Sequence, residues 1–372
     1  METRRPEVFV DPTEAQRAEV AAMTGVTVPD SAAAVAVQSS GGDGYRIGVV
    51  PGGTSGKAEI ISEDSETAAT QLATPELSND AAIAELSTPL LRAGEAGLIG
   101  PPGSAWGSRV IYMTMNGGFC MTEADFKYDL GKCQSFRSSC ESTFYVYWVD
   151  GSEPPPHYLV ILRQKSLFGV SDAGAMVKDE RHVRGFGMYS AKTEVRNVNS
   201  PNMQVQLVHV SPPTNGRVAQ VNESVRITQD MPGGQDFGPA TMQEGAELSL
   251  EGWTAYNRSA PPDAKWEFAQ NSTLDGGLNG RSLTDNHYMD QFVKPFPTIT
   301  ASGLTARTYA VWRVRGGKDA KLNFGLELLQ SFMILALGWM RKVDARGGVL
   351  SWWATGLQPY SLDLAEIAKP KK

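Results

Sequence analysis

Residues of two kinds alternate along the middle of this chain. Met188, Ser190, Lys192, Glu194 and Arg196 interleave with Tyr189, Ala191, Thr193, Val195 and Asn197, and further on Val205, Leu207 and His209 oppose Gln204, Gln206, Val208 and Val210. A period of two is the mark of a strand with one side turned inward. The turn-forming string Asn197–Asn202 separates the two runs, and Pro212-Pro213 stops the second, so residues 181–213 predict a β-hairpin. An isolated hairpin is marginal in water, so it must belong to a larger sheet. Runs rich in Val, Ile, Tyr, Trp and Thr recur at residues 108–116, 143–151, 157–164, 216–229, 246–257 and 306–317. They are bounded by PPG, NGG, EPPP, SPP, PGG and RGG. Together these runs describe a mainly β chain, an antiparallel β-sandwich with a few short helices.

One stretch departs from that texture. In residues 322–340, LNFGLELLQSFMILALGWM, the apolar positions go nearly all the way round a helix, and a buried helix and core strands are both compatible with the pattern. A transmembrane helix is not expected, because Glu327 and Gln330 interrupt a run shorter than the ~20 residues a bilayer requires. Residues 1–95 are rich in Ala, Ser and Gly and predict an acidic extension, partly disordered. It holds two candidate helices, Pro12–Met23 with Thr13 as cap and Asn79–Ala93. The expected division is an arm over 1–95, a shell domain over 96–345 and a C-terminal tail over 346–372.

Charge sharpens that division. Residues 1–100 carry 15 acidic side chains against six basic ones, while the whole chain of 372 residues has a net charge of -7, so the body is close to neutral. An acidic arm cannot neutralise phosphates. The three cysteines, Cys120, Cys133 and Cys140, match no zinc spacing and read as free thiols in a reducing compartment. The N-terminus lacks the apolar core of a secretory signal, so the sequons at Asn222, Asn257 and Asn271 are expected to stay unmodified.

Candidate chemistry is sparse. GGTSGK, residues 52–57, lacks phosphate-loop spacing, since Lys57 precedes Ala58. His157, His182, His209 and His287 have no companions at metal-ligand spacing, and Asp285, His287 and Asp290 read as a solvated loop. No hydrolase signature is present. No enzyme activity, cofactor or metal is therefore expected. Arg163, Lys165, Lys178, Arg181 and Arg184 offer a modest basic patch for nucleic-acid phosphates. Eight tryptophans are many for one sandwich core, and Trp253, Trp266, Trp352 and Trp353 are candidate anchors between subunits.

The order of elements resembles the single jelly-roll capsid proteins of small icosahedral viruses, the nodavirus-like shells and the related capsids of single-stranded DNA viruses of diatoms. The matching strings are Arg184–Ala191, Val195–Asn202 and Val208–Pro213, with Ser302–Tyr309 similar to the turn into a late strand. The resemblance spans residues 96–345 in order of elements and about 40 residues in motif. It implies a jelly roll that self-assembles as a homo-oligomeric icosahedral shell around a viral nucleic acid genome, inside the host cell, with a possible host receptor and no stable membrane insertion. The chain departs from those families in lacking an Arg-rich arm and an Asp-Asn arrangement for autocatalytic cleavage, so that cleavage is not implied. Two other readings compete. One is a carbohydrate-binding or glycoside-active β-sandwich, the other a phage tail or baseplate component.

Overall fold

Runs dense in β-branched and aromatic residues pack well on a pleated surface, and where the computed structural model of this chain describes them they form strands. The structure describes residues 6–39, 45–52, 58–62, 106–120, 133–149, 156–170, 177–178, 182–198, 203–212, 225–226, 241–242, 253–270, 304–317, 320–338 and 345–368. In chain order the elements are β1 (Glu7–Val10), α1 (Glu14–Thr24), β2 (Val26–Thr27), β3 (Ala32–Ser39), β4 (Tyr45–Pro51), β5 (Ala58–Ser62), β6 (Trp106–Cys120), β7 (Cys133–Val149) and β8 (His157–Val170). They continue with β9 (Val177–Lys178), β10 (His182–Asn197), β11 (Gln204–Ser211), β12 (Val225–Arg226), β13 (Thr241–Met242), β14 (Trp253–Asn257) and β15 (Ala264–Gln270). The last are β16 (Leu304–Arg315), β17 (Lys321–Gly338), β18 (Ala345–Ala354), β19 (Gln358–Asp363) and α2 (Leu364–Ile367).

The fold is mainly β, in two large sheets. The front sheet has eight strands in the order β1-β3-β4-β6-β7-β8-β16-β11. The back sheet has nine, along the path β14-β15-β10-β17-β18-β5, with β19 on β17, β2 on β19 and β9 on β10. β12 and β13 pair apart from both. Among the described pairings only β4 with β6 is parallel.

Several expectations change here. The two runs of the predicted hairpin are indeed strands, but β10 pairs with β15 and β17 in the back sheet while β11 pairs with β16 in the front sheet. Alternation reports which side of a strand is buried and not which strand it pairs with. The ambiguous apolar stretch is one strand, β17, hydrogen-bonded to β10 along one edge and to β18 and β19 along the other. The strands among the described residues of the expected arm are instead part of the sheets. β4 stands beside β6 with β3 next to it, and the Ala-rich β3 is almost wholly buried, because small side chains fit where strands are covered on both sides. The expected tail likewise supplies β18, β19 and α2. The first candidate helix is present as α1, capped by a reciprocal Thr13–Gln16 box and ended by Gly25 at φ 69. The second lies outside the described residues.

Inner faces of both sheets share one core. Along β8, Tyr158, Val160, Leu162 and Phe168 point into it; from β17, Leu322, Phe324, Leu326 and Leu328 do the same. Phe144 meets Phe324 with ring centroids 4.8 Å apart, and Phe324 stacks near Tyr360. Polar clips cross the same gap. The Gln164 Oε1 accepts from Thr193 Oγ1 on β10 at 2.6 Å and from Thr308 Oγ1 on β16 at 3.3 Å, while its Nε2 donates to Ser142 at 3.0 Å. A second clip joins Ser138 on β7 to Gln330 on β17 at 2.7 Å. Trp312 adds a third, donating its indole N–H to the carbonyl of Pro262 at 2.8 Å.

Candidate functional site

A sheet with one face on a core usually turns polar residues outward, yet the outer face of the front sheet carries its own apolar cluster. Tyr145, Tyr147 and Val149 of β7, Leu159 and Ile161 of β8, and Tyr309 and Val311 of β16 are all buried, with Trp106 and Val208 packed at the margin. The register explains the grouping. Trp106, Tyr147, Leu159 and Arg313 lie in one row across β6, β7, β8 and β16, and Tyr145, Ile161 and Val311 in the next. Trp106 stacks on Tyr147, with centroids 6.0 Å apart and planes 19° from parallel.

Basic residues frame these aromatics. Arg163 stands opposite Tyr309, and Lys165 lies between Glu141 and Arg307. Arg313 and Arg315 follow at two-residue spacing on the same side of β16. Glu141 is the acidic residue among them, so this face is cationic. Burial pushes the Tyr147 phenol far above its ordinary value, with Tyr145 adding to it. Burial also raises Tyr112 and lowers Arg46, the latter against the opposing pull of Glu141.

The basic patch expected from sequence is split. Arg163 is half-buried and Lys165 exposed on the outer front face, whereas Lys178 and Arg184 belong to β9 and β10 of the back sheet. Arg181 lies outside the described residues. Of the candidate subunit anchors, Trp266 is fully buried in the shared core and is no surface anchor. It is held there because β15 is flanked by β14 and β10, and its inner side faces the front sheet. Trp253 stands opposite Gln270, and Trp352 and Trp353 opposite Ser331 and Gln330. Sequence reasoning missed Arg307, Tyr309, Arg313 and Arg315. Their signal was the odd-numbered side of ARTYAVWRVR, where bases and apolar residues share one face.

The outer side of the back sheet is ionic instead. Glu194 is clasped by Lys265 at 2.6 Å and Arg196 at 2.8 Å, and Lys192 and Arg258 each meet Glu267 at 3.2 Å. Glu327 stands directly opposite Glu194. Among the described residues no three His, Cys, Asp or Glu side chains gather as metal ligands, and no helix is long and apolar enough to cross a membrane. Cys140 is buried among Ser142, Ser166 and Gln164, its thiol pushed up to about 11 by that burial.

No family model matches the chain, and no curated protein matches its sequence. Solved structures do match in shape. Clostridium perfringens delta-toxin is similar at TM-score 0.44 and 11% identity, covering 70% of this chain and 92% of the toxin. A structure described as "Pore forming protein" is similar at TM-score 0.40 and 10% identity, over 69% of this chain and 94% of its own. These matches correct the expectation of a capsid protein. One of these structures is described as a pore-forming protein and the other as a toxin, neither as a shell protein, and the icosahedral virion and packaged genome go with the corrected expectation.

Proposed function

We propose that this chain acts on membranes, contributing a β-hairpin from each of several copies to a ring that spans a bilayer. The carrying observation is the pairing of β12 with β13, in which Val225 faces Met242 and Arg226 faces Thr241. That register pairs an apolar residue with an apolar one and a polar residue with a polar one. The sequence around this pair keeps the alternation. Ala219, Val221, Val225 and Ile227 are spaced by Gln220, Asn222, Ser224, Arg226 and Thr228, and Ala240, Met242, Ala246 and Leu248 by Thr241, Gln243, Gly245 and Glu247.

In the membrane-bound state proposed here, that register continues over residues 219–228 and 239–248. Each strand then has about the 9–11 residues a tilted transmembrane strand requires. Glu223 and Glu244 interrupt the apolar side and would face each other, so acid that neutralises them favours insertion. A single hairpin leaves its edges unpaired in hydrocarbon, so copies must close a barrel. The cationic outer face of the front sheet favours approach to an anionic leaflet. No catalytic step belongs to this reading. For architecture, β6, β7 and β8 lie side by side in one sheet, which supports an up-and-down meander rather than the jelly-roll alternation between sheets.

Release of an encapsulated dye from phosphatidylcholine–phosphatidylglycerol vesicles tests the proposal. The native chain is expected to release dye faster as the pH falls. Val225→Arg places a cation on the lipid side at a cost of about 2–4 kcal/mol near the midplane and should abolish release without moving the urea midpoint. Absence of release at every pH, or equal release by Val225→Arg, refutes it.

A further inference from the structure

Arg313 is only 8% exposed, and its Nε has no hydrogen-bond partner. Three more polar atoms around it share that condition. They are Nε of Arg315, Nε2 of His209 and the hydroxyl of Tyr147, each buried and without a partner. Register brings the four residues together. Tyr147 and Arg313 are joined across Leu159, about 10 Å apart at the backbone given the spacing of strands. His209 faces Val311, one step along the outer face from Arg313 and a diagonal neighbour at about 7–8 Å. Each buried polar group left unpaired costs about 1–3 kcal/mol, and more when charged. Several such costs concentrated at one corner call for an absent partner.

The chemistry of that partner follows from the donors. A guanidinium donates and never accepts, and a phenol held protonated by burial donates readily, so the missing group is an anion rich in acceptor oxygens. Donors arrive from β7, β11 and β16, three directions that suit a tetrahedral anion better than a flat carboxylate. The stacked Trp106–Tyr147 pair and Leu159 lie beside them, an apolar platform for the organic part of an ester. Exposed Gln206 and Gln204 stand opposite Arg313 and Arg315 on β11, the edge strand, and leave an approach from solvent.

We propose that this corner of the front sheet is a binding site for a phosphate ester, held by Arg313, Arg315, Tyr147 and His209 beside the Trp106–Tyr147 platform. The site stands on its own geometry and not on the hairpin. Calorimetric titration of the full chain with inorganic phosphate and with glycerophosphocholine tests it. Saturable binding is expected, tighter for the ester, and weakened about tenfold or more by Arg313→Met and by Arg315→Gln. Arg313→Met removes a buried guanidinium whose Nε is unpaired, so without ligand it is expected to melt no lower than the native chain, and phosphate should raise the melting temperature of the native chain alone. Competition by phosphatidylcholine vesicles identifies a lipid headgroup as the source, and lack of competition a soluble ester; both keep the site. Absence of saturable binding, or equal binding by Arg313→Met, overturns it. Val225→Arg is expected to bind phosphate as the native chain does, which separates failure of this site from failure of the hairpin reading.

Discussion

Replacing Gln164 by Leu tests how the two sheets are held together. The side chain is nearly isosteric with its replacement and wholly buried, so little volume changes while three hydrogen bonds vanish. Thr193 loses a 2.6 Å bond and has no other acceptor among its described partners. Ser142 keeps its contact with Cys140 at 3.4 Å, and the Thr308 bond was long at 3.3 Å. Counting one fully orphaned hydroxyl and two partly compensated groups at about 1–3 kcal/mol for a full orphan, the single substitution should cost about 2–4 kcal/mol. Adding Thr193→Val and Thr308→Val removes the orphans and places β-branched residues in strands, so the triple variant should return to within about 1 kcal/mol of the native chain. Urea unfolding followed by tryptophan fluorescence reads both midpoints. A single variant as stable as the native chain, or a triple variant less stable than the single, refutes the reasoning.

Four further outcomes follow from particular contacts. Burial, and then the charge of Glu194 opposite, raises the pKa of Glu327 above its ordinary 4.5. Its favourable contribution therefore holds below that value and is lost as pH rises through the folded-state pKa. Glu327→Gln should raise the urea midpoint at pH 7 by about 0.2–1 kcal/mol, with the gain vanishing in acid; a loss at pH 7 refutes this. Glu194 behaves oppositely: burial works to raise its pKa, but hydrogen bonds and charge from Lys265 and Arg196 prevail and lower it. Glu194→Gln should destabilise at neutral pH, and the deficit should shrink as pH falls through the lowered value. A Cβ on Gly107 would run into the carbonyl oxygen of Ile367, so Gly107→Ala should lift α2 from β6 at a cost of about 1–3 kcal/mol in urea, and an unchanged midpoint refutes that contact. Cys140, buried and with its thiol pushed up to about 11, should resist alkylation at pH 8 until urea unfolds the chain, as peptide mass mapping will show; labelling in the native state contradicts it.

Strand existence and strand faces were legible in the residues alone. Alternation in β8 and β16, the Thr13 cap of α1 and the mainly β class all follow from local pattern, because side-chain direction along a strand repeats every two residues whatever lies beside it. Partner choice was not legible. β10 and β11 adjoin in sequence and part into different sheets, β10 pairing along its length with β17 and β11 with β16. β17 satisfies helical and strand periodicities equally, and only ladders along both its edges make it a strand. The Ala-rich N-terminal segment looked too poor in large apolar groups to fold, but as β3 it needs only to fit between β1 and β4. Arg313 shows the same divide at the proposed site. Its side of the strand is set by period two, whereas the burial that leaves its Nε unpaired arises from neighbours contributed by β7, β8 and β11, distant in sequence and joined only when the sheet closes.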